Sequence, residues 1–87
     1  MMDVLKVVES DYDSPEAYYV NDTLEGTIHC NDRHEIKPLL INIMREHNVT
    51  ETLFFTLTDR GEDFLEEAEY DCPDKFSEIA RYVDYER

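Results

Sequence analysis

Apolar residues fall into short runs, and the spacing within each run predicts its conformation. Asp3 to Glu9 is dominated by Val4, Val7 and Val8, which favours a strand over a short helix burying Val4, Leu5 and Val8. Ser10 to Pro15 is built from turn formers. Ala17 to Val20 and Thr23 to Cys30 read as a second and a third strand. Asn21-Asp22 between them suits a tight hairpin turn, since both residues tolerate positive φ. In the third strand Leu24, Ile28 and Cys30 share a face, and Gly26 marks either a bulge or a turn in another register.

The period then changes. Ile36, Leu39, Leu40, Ile43, Met44 and His47 follow the i, i+3, i+4, i+7 spacing of one helix face. Asn31 and Asp32 can cap it, Pro38 pushes the regular start towards His34–Lys37, and Asn48 is a left-handed C-cap candidate. Thr52 to Thr58 alternates cleanly, with Leu53, Phe55 and Leu57 opposite Thr52, Phe54, Thr56 and Thr58. Phe54 on the polar side implies that this second face is partly covered too. Asp59-Arg60-Gly61 reads as a turn into an acidic helix over Glu62–Tyr70, with Phe64, Leu65 and Ala68 inward. Cys72-Pro73-Asp74 restarts a last helix with a stripe of Phe76, Ile79, Ala80 and Val83. The expected fold is a single α+β domain over residues 1–87. It has an antiparallel sheet of about three to four strands against two to three helices, in the order β-β-β-α-β-α-α.

Composition adds one strong constraint. The chain has 87 residues, 22 Asp and Glu against 8 Lys and Arg, and a formal net charge of −14. Its length suits one domain, and folding would bury roughly 64% of the extended chain's surface, enough for a modest core. Ten aromatics among many aliphatics exclude full disorder. No apolar run approaches the roughly 18–20 residues that span a bilayer, and no basic-then-apolar leader is present, so a cytoplasmic protein is expected. Residues 59–71 carry Asp59, Glu62, Asp63, Glu66, Glu67, Glu69 and Asp71 against Arg60 alone. Residues 1–22 carry Asp3, Glu9, Asp11, Asp13, Glu16 and Asp22 against Lys6. Clustering on this scale costs folding free energy by like-charge repulsion, which makes a use for the charge more probable than even spacing would.

Catalytic and metal chemistry find little support. Two cysteines, Cys30 and Cys72, read as free buried thiols of a reducing compartment. His29, Cys30, His34 and Cys72 lack zinc-ligand spacing. The Asp11-x-Asp13 opening of a calcium loop fails at Pro15, Glu16 and Asp22. No nucleophile elbow, phosphate loop or dinucleotide fingerprint occurs, so no enzyme activity, cofactor or metal is expected.

One local resemblance exists. Leu57-Thr58-Asp59-Arg60-Gly61 followed by Phe64-Leu65-Glu66-Glu67 resembles the wing strand and following helix start of winged-helix regulators. The resemblance covers about a dozen residues and implies a winged-helix-like corner used for protein contact. No recognition helix with exposed Lys or Arg accompanies it, and the charge has the wrong sign for DNA.

A field this negative repels nucleic acid and anionic membranes and favours a basic protein partner. The expected function is therefore non-enzymatic inhibition of a basic nucleic-acid-binding protein or nuclease by phosphate mimicry, acting in the cytoplasm (the host's, if phage-encoded). Phage counter-defence inhibitors such as anti-CRISPR proteins, and nuclease-immunity proteins, are settings that such a DNA mimic suits. The residues expected to touch the partner are Asp11, Tyr12, Asp13 and Glu16 on one loop. Asp59, Glu62, Asp63, Glu66, Glu67, Glu69, Tyr70 and Asp71 supply the rest, with Tyr12 and Tyr70 as desolvated anchors. The alternative is a small structural or regulatory subunit whose acidity only provides solubility. Composition sets neither the partner's identity nor the oligomeric state.

Overall fold

The computed structural model describes residues 2–11 and 14–86, with Cys30 described by its backbone alone. The first strand, β1 (Asp3–Glu9), is apolar on both sides: Leu5 and Val7 face one layer and Val8 the other. Such a strand belongs in the middle of a sheet. β2 (Glu16–Val20) pairs with it antiparallel, and β3 (Thr23–Ile28) pairs antiparallel with β2 through the Asn21-Asp22 turn. Asn21 takes the left-handed conformation, φ 57°, as the hairpin requires.

A 3-10 segment, Cys30–Glu35, leads into α1 (Ile36–Glu46), which carries the chain back across the sheet. The chain can therefore re-enter as β4 (Val49–Leu57), parallel to β1 with Leu5 opposite Thr52 and Val7 opposite Phe54. α2 (Asp59–Glu67) and α3 (Phe76–Ile79) follow, then a 3-10 turn at Ala80–Tyr82 and a short β5 (Val83–Tyr85) antiparallel to β4. The order across the sheet is β3-β2-β1-β4-β5. No helix among the described residues is long and apolar enough to cross a membrane.

The α+β class and the first strand agree with expectation, but the sheet does not. It has five strands and is partly parallel, not an antiparallel sheet of three or four. The extra strand comes from Val83, expected on a helical stripe with Ala80. Thr58 donates from both its N–H (2.9 Å) and its hydroxyl (3.0 Å) to the Tyr82 carbonyl. That docks the end of the last helical turn beside β4, and the next residues extend the sheet. Ala80 is left exposed.

Three local readings are corrected by the same kind of physics. Asp59-Arg60-Gly61 is the first turn of α2 rather than a loop, because Thr58 caps the helix by accepting from the Gly61 N–H at 3.1 Å. α1 ends at His47 in an extended conformation, φ −129°, not at a left-handed Asn48. Leu24 and Ile28 lie on opposite faces of β3, since the pairing slips between Tyr18–Gly26 and Tyr19–Leu24, leaving Glu25 as the extra residue of a bulge. The winged-helix-like corner reduces to this strand-to-helix junction, set in a five-stranded mixed sheet.

Two cores result. On one face Leu65 of α2 and Phe76 and Ile79 of α3 pack on Val8, Ala17, Tyr19 and Leu57. The buried Tyr19 hydroxyl donates to the Pro73 carbonyl at 2.8 Å, tying the segment before α3 to the sheet. On the other face Ile36, Leu39, Leu40 and Ile43 of α1 pack on Leu5, Val7, Tyr18 and Val20.

Candidate functional site

The acidic residues of α2 stand in two rows. Asp59, Asp63 and Glu67 recur every fourth residue, so one carboxylate follows another about 6 Å along the axis. Glu66 lies beside Asp63 and Glu67, and these three line one shallow surface concavity. All four are exposed, as is Arg60, the one cation of the helix. Beyond α2 the chain turns sharply. Glu69 (φ 56°) and Tyr70 (φ 62°) are consecutive left-handed residues, and the Tyr70 N–H reaches back to the Leu65 carbonyl at 2.7 Å. Neither is a glycine, so each costs about 1 kcal/mol in this conformation. The turn leaves Tyr70 44% exposed beside exposed Glu69 and Asp71.

Glu62 has a different role from the one its spacing implied. It is partly buried, and its carboxylate accepts from the Ser10 hydroxyl at 2.6 Å and from the Ser14 hydroxyl. Ser14 is itself buried. Glu62 thus holds Ser10 and Ser14 against the first turn of α2. Asp11, which follows Ser10 directly in the chain, is exposed. Tyr12 and Asp13 lie outside the described residues.

Glu16 does not join this surface. It sits on the α1 side of the sheet, accepts from the Tyr18 hydroxyl at 3.1 Å and pairs with Arg33 at 3.5 Å. The strand period sends alternate residues to opposite faces, and position 16 falls with Tyr18 rather than with Ala17.

Three features were not anticipated from residue spacing. The first is a groove on the α1 side, bordered by Leu40 and Met44 of α1 and by Phe54 of β4. The face carrying Phe54 was expected to be partly covered; Phe54 is 45% exposed and forms one side of this groove. The second is a carboxyl cluster at the end of β1. Glu9 shares a hydrogen bond with Glu86, loses solvent there and faces Glu16, and together these push its pKa up to about 7 against the opposing pull of Arg33. Glu86 is held by the Thr56 hydroxyl at 2.8 Å. The signal for this cluster lies in topology, since residues 9 and 86 meet only once β5 joins the sheet.

The Glu9 shift has a measurable consequence. In the unfolded chain Glu9 titrates near 4.5 and in the folded one near 7, so the folded state holds the extra proton between those values. The stabilisation is complete below about pH 4.5 and is lost as pH rises through 7. Glu9→Gln should therefore raise stability at pH 8 by about 1 kcal/mol, the shift being discounted for solvent screening, and change it little in acid. Urea titrations at both pH values check this; an equal effect at both would exclude Glu9 as the source.

The third feature is a donor set formed by Glu25, Glu46 and His47, whose ligand atoms lie within 4.8 Å of one another. His47 approaches Glu25 at 3.3 Å through Nε2 and Asp3 at 3.8 Å through Nδ1. These are the residues that could hold a divalent cation of the imidazole- and carboxylate-preferring kind. Their evident work is structural: Asp3 also accepts from the Asn48 N–H and the Asn21 amide, joining the start of β1 to two turns. Cys72 is free and buried, and burial pushes its thiol up to about 11, so the neutral form is favoured in the core. No family model, curated protein or solved structure matches the chain.

Proposed function

We propose that the protein binds a basic nucleic-acid-handling protein, of the nuclease or defence-effector kind, through the face formed by α2 and the Ser10–Ser14 loop. The carboxylates of Asp11, Asp59, Asp63, Glu66 and Glu67 stand in for phosphates, and Glu69, Tyr70 and Asp71 extend the face at the far end of the helix. Such a protein works as an inhibitor rather than an enzyme, competes with nucleic acid instead of binding it, and acts in the cytoplasm where its target acts.

The observation that carries this reading is the pair of hydroxyl contacts to Glu62. One partly buried carboxylate holds Ser10 and Ser14 beside the acidic helix, which keeps Asp11, next to Ser10 in the chain, near it against like-charge repulsion. Solubility alone would favour spreading the charge. Tyr70, half-exposed on a strained turn, is the aromatic available for burial in the interface.

The test combines Asp63→Asn, Glu66→Gln and Glu67→Gln, leaving Glu62 intact so that the loop stays docked. Affinity capture from host lysate at about 150 mM salt, where exposed charges are screened within roughly 8 Å, should retain a basic partner that high salt releases. The triple variant should fold with equal or greater stability and bind that partner at least about tenfold more weakly. Undiminished binding by the triple variant, with loss on substitution of Phe54 instead, would replace this reading with that of a subunit whose acidity serves solubility.

A further inference from the structure

α1 leaves uncovered the strip of sheet between itself and β4, and the result is a groove of about 310 Å3. Its floor is Leu5, Val7 and Tyr18, and its sides are Leu40 and Met44 on α1 and Phe54 on β4. Met44 and Phe54 are 49% and 45% exposed, so the apolar sides stand in water. The volume is at the lower end of small-ligand sites, too little for a folded partner's helix but enough for one short apolar chain.

Its charged residues, Glu9, Glu16 and Arg33, gather at one end, and Thr52 across from Leu5 adds only a neutral hydroxyl. Behind Glu9 lies the hydrogen-bonded Glu86. Arg33 touches Glu16 at 3.5 Å, but its side chain is 71% exposed, so water screens most of its charge. With the Glu9 pKa raised to about 7 and the group partly protonated at neutral pH, Glu16 and the Glu9–Glu86 pair still leave this end net negative against Arg33, and the body behind them carries −14. An anionic head would be repelled on both counts, and a cationic one attracted.

We propose that this groove binds a small amphiphilic cation, its apolar chain lying between Met44 and Phe54 and its ammonium head against Glu9 and Glu16. The Tyr18 hydroxyl fixes Glu16 by donating to it at 3.1 Å, which keeps one acceptor oriented before a ligand arrives. The site is on the opposite face of the sheet from α2, so it stands independently of partner binding there.

Octylammonium, octanol and octanoate share a chain and differ in head charge, and titration of the isotopically labelled protein with each separates the contributions. Octylammonium should saturably shift the resonances of Tyr18, Leu40, Met44 and Phe54, with octanol weaker and octanoate at least about tenfold weaker than the amine. Phe54→Ala, at a half-exposed position that folding tolerates, should weaken octylammonium several-fold. Glu16→Gln should narrow the gap between amine and carboxylate while leaving octanol unchanged. Equal affinity for octylammonium and octanoate, or shifts confined to the α2 carboxylates, would overturn the proposal. So would a sedimenting dimer that Phe54→Ala dissociates, since the groove would then be filled by a second copy of the chain.

Discussion

Gly61→Ala should destabilise the protein by about 3 kcal/mol, a large loss for one added methyl group. On an exposed helix the same change would be expected to stabilise by up to about 1 kcal/mol, so even the sign is diagnostic. A Cβ at this position would lie 2.5 Å from the Tyr82 carbonyl oxygen and 2.8 Å from Leu57 Cδ2. The leucine tip can rotate away, but the carbonyl has little room. It accepts from the Thr58 N–H at 2.9 Å and from its hydroxyl at 3.0 Å, and that hydroxyl accepts from the Gly61 N–H at 3.1 Å. Relieving the clash therefore breaks the α2 cap and loosens β5 from the sheet at once. Denaturant titration gives the number, and a neutral or favourable effect would show that α2 does not press on Tyr82. At Gly26 the nearest atom to a new Cβ is Leu39 Cδ1 at 2.9 Å, the end of a side chain that can move, so Gly26→Ala should be milder.

The two layers should also respond unequally to truncation. Leu65→Ala is expected to cost about 3–4 kcal/mol and Leu40→Ala about 1 kcal/mol. Leu65 is fully enclosed, 0% exposed, within the cluster that includes Tyr19, Phe76 and Ile79. The rings brace that cluster, Tyr19 meeting Phe76 edge-on at 5.6 Å, so little can collapse into the space the lost isopropyl group leaves. Leu40 is only partly buried and borders the open groove, where its removal enlarges a space that water already reaches. Equal losses in urea titrations of the two variants would mean that the α1 layer is as tightly closed as the α2 layer.

Which parts of this architecture were legible in the chain follows from the range of the forces involved. β1 and the Asn21-Asp22 turn depend on neighbouring residues, and their composition announced them. The alternation of β4 likewise placed Phe55 and Leu57 inward. What failed was decided at long range. The parallel pairing of β1 with β4 joins Leu5 to Thr52, and no local pattern specifies it. β5 exists because Thr58 claims the Tyr82 carbonyl, a contact that composition around Val83 does not encode. The candidate site divides in the same way. Helical period placed Asp63, Glu66 and Glu67 together; Asp59, expected in the preceding turn, joins them only because the helix starts earlier. Glu62 shared their spacing but turns to Ser10 and Ser14, and Glu16, assigned by charge, lies on the other face. Charge is a property of a residue; the face it occupies is a property of the fold.

The central position of β1 also sets an order of events during synthesis. The β2–β3 hairpin can close on one edge of β1 as soon as residue 28 is made, but the partner for its other edge begins at Val49. At ordinary elongation rates the wait is on the order of seconds. Through that interval a Val-rich strand presents unpaired N–H and C=O groups, the template on which foreign strands add. Slowing the ribosome between Cys30 and Val49 should therefore lower the yield of native protein by aggregation, with no change in the stability of the molecules that do fold.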